Sequence, residues 1–391
     1  MSVQFGIDRY LNEAPPMRNA RIALVTNHAA CTSSYLPSRQ ALLGRGFQVT
    51  RLFSPEHGLQ TAGADGQAMV DGMDLLTGLP VKSLYGVSLK PSAEDLQDID
   101  IVLVDLPDVG CRCYTYLWTM TYVMEACAES GKTLIVLDRP NPISGAMDLA
   151  EGPGLTDESC ASFIGRWNIP LRHSCTIGEL ARFWAGTKIK DLDLRVISAN
   201  GWSRKMFYHD WASSFVPTSP AIASAEACLL YPGLCLSEAT NLSEGRGTAM
   251  AFRVLGAPWM HAQEVADEFN RLQLPGITAR AITFAPDAAK YQGQACNGIM
   301  LHATETRYVR PVFAGIALIK LIRDLHLDNF RWATYPTHVN PTGEKHLDRL
   351  LGIADAESLF DLQWNAFCET AKFLLDCAQW KEQIAPYLLY E

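Results

Sequence analysis

Long apolar runs are absent from this chain. None of its 391 residues lies in a stretch approaching the roughly 20 apolar residues that a bilayer-spanning helix needs, so no membrane partner is expected. The opening segment, Met1 to Asp8, has neither a basic n-region nor an apolar h-region, so a secretory leader is not expected and a cytoplasmic location is. A surplus of basic residues is also missing. The formal net charge of −9 argues against a nucleic-acid partner. The cysteines number eleven, an odd count without framework spacing, and read as reduced thiols rather than disulfides. Cys111-Arg112-Cys113 is too close and too lone a pair to hold zinc without partners.

Common cofactor signatures are missing as well. The first apolar strand runs into Asn27-His28-Ala29-Ala30 instead of a G-x-G-x-x-G fingerprint. Gly131-Lys132-Thr133 resembles the end of a phosphate loop, but Ala126 stands where the earlier glycine is required, and a strand follows instead of a helix. There is neither H-E-x-x-H nor G-x-S-x-G. His28 and His57 have no third ligand at a telling spacing. No cofactor and no metal are expected.

What is present is an alternation of strands and helices. Runs at 21–27, 47–53, 99–105, 133–138 and 194–197 are rich in Val, Ile and Leu, as strands buried on both faces of a parallel sheet are. Helices are expected at 37–43, 118–130 and 176–185. Residues 201–247 are rich in Pro, Ser, Gly and Trp and read mostly as loop. Beyond them come a helix at 261–272, strands at 277–284 and 298–304, a strong helix at 311–325, and late helices at 356–361 and 366–381. The reading is α/β: a Rossmann-like parallel-sheet domain over 1–250 and a smaller α+β domain over 251–391.

The strand ends are polar: Asn27-His28, Glu56-His57, Asp105 to Asp108, and Asp138-Arg139-Pro140-Asn141. Ligands of open parallel sheets bind at that rim, so the four ends are expected to converge on one crevice. In Phe53-Ser54-Pro55-Glu56-His57-Gly58 an acid and an imidazole stand side by side, which suits proton transfer; a plain Pro/Gly turn is the rival reading.

Longer signatures accompany these. They are Gly6-Ile7-Asp8, the Phe53–Gly58 segment, Thr77 to Gly86, Asp108 to Tyr116, Val136 to Pro142, Glu151-Gly152-Pro153, Tyr231-Pro232-Gly233 and Glu238 to Thr248. Taken in order, they resemble the bacterial exo-β-N-acetylmuramidases, which remove terminal N-acetylmuramic acid (MurNAc) from peptidoglycan fragments. The resemblance implies a Rossmann-like domain, a smaller C-terminal domain and an active site in the cleft between them. It also implies a saccharide or muropeptide partner. One loop departs from the family pattern: Asp65, with its shorter reach, stands where a glutamate is usual.

Glycoside cleavage needs an acid for the leaving oxygen and a second group at the anomeric carbon. Glu56 is the candidate acid, with His57 tuning it. Asp105, Asp108, Glu238 and Glu244 are candidates for the second role, unless the substrate's own acetamido group attacks. Glu238 and Glu244 could instead pair with Arg246 and merely hold a loop. The lactyl carboxylate of MurNAc calls for a guanidinium, and Arg112, Arg139 and Arg246 could supply it. Tyr114 and Tyr116 offer ring faces, whereas Trp118 at a helix start reads as core. Asn27, Asn141 and Asn241 could bond sugar hydroxyls or stabilise turns. Asp65 completes the substrate-binding set. Two rivals stand beside the muramidase: a muropeptide-binding or sensory protein with little turnover, and a hydrolase of another bond using His57 as base.

Overall fold

The computed structural model describes residues 3–13 and 20–391. Seven strands form the larger sheet: β1 (Arg21–Thr26), β2 (Gln48–Ser54), β3 (Gly72–Met73), β4 (Pro80–Ser83), β5 (Ile101–Asp105), β6 (Thr133–Leu137) and β7 (Leu194–Ile197). Their order is β3-β4-β2-β1-β5-β6-β7, parallel throughout except for β3, which runs antiparallel at the edge. The chain builds outward from β1 to one side, then returns to build from β1 on the other. That reversal between β2 and β5 marks the topological switch point.

Strand apolarity follows from cover on both faces. Ile22 and Leu24 of β1 pack into one core with Leu103, Ile135 and Leu137, while Ala23 and Val25 face the other core with Val102, Val104 and Val136. Successive side chains point to opposite faces, so a strand covered on both sides must be apolar at every position. The expected α/β fold class is the one observed.

A second sheet of three antiparallel strands follows in the order β8-β10-β9, from β8 (Val254–Ala257), β9 (Ile277–Phe284) and β10 (Cys296–Ala303). β8, β4 and β3 are short and have no long Val/Ile/Leu run, and the sequence reading passed over them. It also read Ala225–Leu234 as loop, because Pro232 and Gly233 lie there, yet this segment is a helix. Gly233 has a physical role. A Cβ there would sit 1.9 Å from the carbonyl oxygen of Pro311, so only glycine lets this helix meet the helix Pro311–Leu325 so closely. The expected helix at 366–381 is two helices, Trp364–Leu375 and Ala378–Ile384, because Asp376 is extended and breaks the run. No helix among the described residues is long and apolar enough to cross a membrane.

Candidate active site

Pro55 ends the pairing of β2, and the chain turns sharply. His57 has φ +67° and Gly58 φ +70°, so two successive residues adopt the left-handed region. For a histidine that conformation is uncommon and must be imposed by its surroundings. Here the Gly63 N–H donates to the His57 carbonyl at 3.0 Å, and His57 Nδ1 lies 2.9 Å from the Gly63 carbonyl. The knot throws the Glu56 side chain into a cleft between the two sheets' units, lined on the far side by Arg246, Tyr335 and His346.

Both Glu56 oxygens are occupied. Oε1 accepts the Gly66 N–H at 2.9 Å and Oε2 accepts the Thr115 hydroxyl at 2.7 Å. Burial, with Asp65 adding to it, holds the Glu56 carboxyl above the usual range despite His57, Thr115 and Gly66. Asp65 goes the other way. Burial would raise it, but Arg246, His57 and the Tyr335 hydroxyl outweigh burial and keep it ionised below the usual range. Tyr335 donates to Asp65 Oδ2 at 2.7 Å, and Arg246 stands 3.4 Å from the same oxygen. Glu56, Asp65 and His57 present polar atoms within 4.8 Å of one another. The two carboxyl pKa values are thus pushed in opposite directions, which is how environment assigns acid and anion roles to like groups.

Arg246 anchors the opposite wall. Its Nε donates to Glu244 at 2.7 Å and one terminal nitrogen donates to Glu238 at 2.6 Å. Glu238 in turn faces His346 Nε2 at 3.2 Å, and the His346 ring stacks on Tyr335. Lys290 donates to Glu244 at 3.3 Å and to the carbonyls of Ser237 and Leu242. Glu244 lies behind the arginine, wholly buried, and Lys290 and Arg246 overcome burial to keep it ionised. Glu238 is raised, because burial prevails over His346 and Arg246.

The remaining sequence candidates divide. Tyr114 lines the cleft with Glu56, His57, Asp65 and Arg246. Tyr116 stands behind it, donating to the Thr218 carbonyl at 2.6 Å, while the Tyr114 hydroxyl donates to Thr218 Oγ1 at 2.7 Å. This tyrosine wall splits the expected single crevice in two. Asp108 and Arg139 fall on its far side, in a second cleft walled by Tyr35, Tyr208 and Trp211. Arg139 is bound to Asp105 at 2.6 Å, and Asp108 lies 3.2 Å from His173 Nε2.

The other four candidates brace the chain and do not line the cleft that holds Glu56. Arg112 is buried and donates to the carbonyls of Pro153, Ile169 and Leu350. Asn141 bonds Cys175 and Ile143, Asn241 joins Asn329 to Arg331, and Asn27 accepts from Ala29. Trp118 is in the core, donating to the Arg112 carbonyl.

Sequence reasoning missed Thr115, Tyr335, His346 and Arg349. Thr115 sits inside the Asp108–Tyr116 signature and was legible there; the other three lie in a polar stretch with no strand end to mark them. Arg349 also lines the cleft, half-buried, and its side chain has no hydrogen bond or carboxylate partner among the described residues. A third sulfur had likewise gone unseen: Cys235 joins Cys111 and Cys113.

Two neighbouring carboxyls in one cleft, one with a raised pKa and one with a lowered pKa, are the equipment of a glycoside hydrolase. Comparison with known proteins narrows the class. Residues 22–226 match the family model for the N-terminal part of the exo-β-N-acetylmuramidase NamZ, and residues 229–390 match its C-terminal part. The chain belongs to the NamZ family. It is 41% identical over 332 residues to the peptidoglycan β-N-acetylmuramidase NamZ of Bacillus subtilis strain 168, covering 84% of this chain and 80% of that one. Two crystal structures of DUF1343 family proteins from Bacteroides fragilis share the fold. One has TM-score 0.86 at 28% identity and the other TM-score 0.76 at 27%, each covering 100% of this chain and 99% of its own.

Proposed function

We propose that this chain is an exo-acting β-N-acetylmuramidase that hydrolyses terminal MurNAc from peptidoglycan fragments such as MurNAc-GlcNAc. One observation carries the mechanism: Glu56 and Asp65 present oxygens within 4.8 Å of each other in one cleft, with the Glu56 pKa pushed up by burial and the Asp65 pKa held down by Arg246. Glu56 donates its proton to the leaving glycosidic oxygen. Asp65 stabilises the positive charge that develops at the anomeric carbon, by attack or by orienting the substrate's acetamido group. Attack by Asp65 and attack by the acetamido group both lead to overall retention, which is the outcome proposed.

Arg349 takes the lactyl carboxylate in this scheme, because Arg246 is already committed to Glu244, Glu238 and Asp65. Residues 1–250 act as the catalytic unit. Residues 251–391 close the cleft with Tyr335, His346 and Arg349. All eleven cysteines are unpaired, which suits a reducing compartment, and a cytoplasmic location completes the proposal.

The test is incubation with MurNAc-β-1,4-GlcNAc, with the products followed by NMR. Free MurNAc released first as the β anomer supports the reading. Binding without release would make the protein a muropeptide sensor, and first release of the α anomer would remove the retaining assignment.

A further inference from the structure

Behind the wall of the catalytic cleft, the sulfurs of Cys111, Cys113 and Cys235 lie within 4.8 Å of one another. The backbone explains the grouping. The Tyr114 N–H donates to the Cys111 carbonyl at 3.0 Å, closing a turn that brings the side chains of residues 111 and 113 together. Cys235 begins the 3₁₀ turn Cys235–Ala239 at the end of the helix Ala225–Leu234. All three thiols are buried, and Cys113 reaches the lining of the cleft, which gives a route from solvent.

The charge beside them is unbalanced. Arg112 is wholly buried, yet its guanidinium donates only to neutral carbonyls, those of Pro153 at 2.7 Å, Ile169 at 3.0 Å and Leu350 at 2.6 Å. Its Nε has no partner, and no carboxylate pairs with it among the described residues. The Leu350 carbonyl that takes Arg112 also takes Cys113 Sγ at 3.6 Å, so cation and sulfur share one acceptor. A buried guanidinium requires a compensating anion, and the sulfurs are the groups placed to provide it.

We propose that Cys111, Cys113 and Cys235 form a binding site for one thiophilic metal ion, entered through the cleft. Each thiol releases its proton to solvent as its sulfur bonds the ion. Three thiolates around a divalent cation leave one net negative charge, which is the counter-charge Arg112 lacks. Sulfur donors select zinc, cadmium or copper(I) over magnesium and calcium. Zinc–sulfur bonds of about 2.3 Å set sulfurs roughly 3.8 Å apart, inside the 4.8 Å within which the three sulfurs lie. The bound ion would tie two segments of the cleft wall together. Cys113 lies two residues before Thr115, which holds Glu56, and Cys235 opens the turn that carries Glu238.

Equilibrium dialysis of the full chain against Cd²⁺ and Zn²⁺ tests the site without any substrate, so its outcome is separable from that of the muramidase reading. The expected result is one tightly held equivalent per chain, with a sulfur-to-cadmium charge-transfer band and three sulfur neighbours by X-ray absorption. Cys235→Ser and Cys111→Ser should each lose that equivalent, with folding checked by circular dichroism. Cys368→Ser, at the half-buried cysteine elsewhere, should keep it. No bound ion, fewer than three sulfur neighbours on the unmodified chain, or retention in both cluster variants would overturn the proposal.

Discussion

The Thr115 hydroxyl donates a 2.7 Å hydrogen bond to Glu56 Oε2, joining the turn before the helix Tyr116–Glu129 to the loop after β2. The bond favours the ionised carboxylate, so it opposes the burial that raises Glu56. A general acid must be protonated, and activity therefore falls as pH rises through the Glu56 pKa. In Thr115→Val the pKa should rise and the basic limb of the kcat/KM profile should move to higher pH. A downward move would contradict the assignment of that limb to Glu56.

Asp65 acts on the same limb with the opposite sign. Its negative charge raises the Glu56 pKa, so Asp65→Asn should move the basic limb to lower pH. The same change should lower kcat on the order of 10²-fold or more, since an anion beside the developing cation is lost. A normal rate with an unshifted profile would remove Asp65 from the mechanism.

Arg349 is the cleft arginine whose side chain has no partner among the described residues. A charge-assisted arginine–carboxylate bond contributes about 1.5–3 kcal/mol, so MurNAc-terminated substrates should outperform GlcNAc-terminated ones by at least about tenfold. Arg349→Met should erase most of that preference by raising KM for the MurNAc substrate alone. Equal cleavage of both substrates by the unmodified protein would rule out a lactyl clamp.

Arg246 behaves differently because it is structural as well as central. Replacing it with Met leaves Glu238 and Asp65 without their cation and Glu244 with Lys290 alone. Breaking a buried ionic network from one side costs on the order of 3–5 kcal/mol. Arg246→Met should show that loss in denaturant unfolding near neutral pH, and a smaller one in acid, where the orphaned carboxylates can protonate. An unchanged midpoint would mean the network carries no stability.

Much of the frame was legible because it rests on local pattern. The centres of β1, β5 and β6 are apolar without a break, and both-face burial demands that, while β2 and β7 still show short apolar runs around Arg51 and Arg195. Glu56 and His57 were legible because Pro55 and Gly58 mark a strand end. The site's far wall was not, since Tyr335, His346 and Arg349 reach the cleft only through tertiary packing. Asp108 and Arg139 also end strands, but the Tyr114–Thr218 contact that puts them behind a wall spans more than a hundred residues. Arg112 shows the limit most plainly. An arginine within a long motif reads as a substrate clamp, and only its three carbonyl partners show that it braces the core.

The account's central claim is that Glu56 protonates the leaving group, and leaving-group dependence tests it most directly. Glu56→Gln should be assayed on MurNAc-GlcNAc and on an aryl MurNAc glycoside whose leaving group needs little protonation. Loss of a general acid costs about 10²- to 10⁴-fold, so kcat on the disaccharide should fall within that range while the aryl substrate is largely spared. Equal losses on both substrates would contradict the claim and assign Glu56 a nucleophilic or structural role.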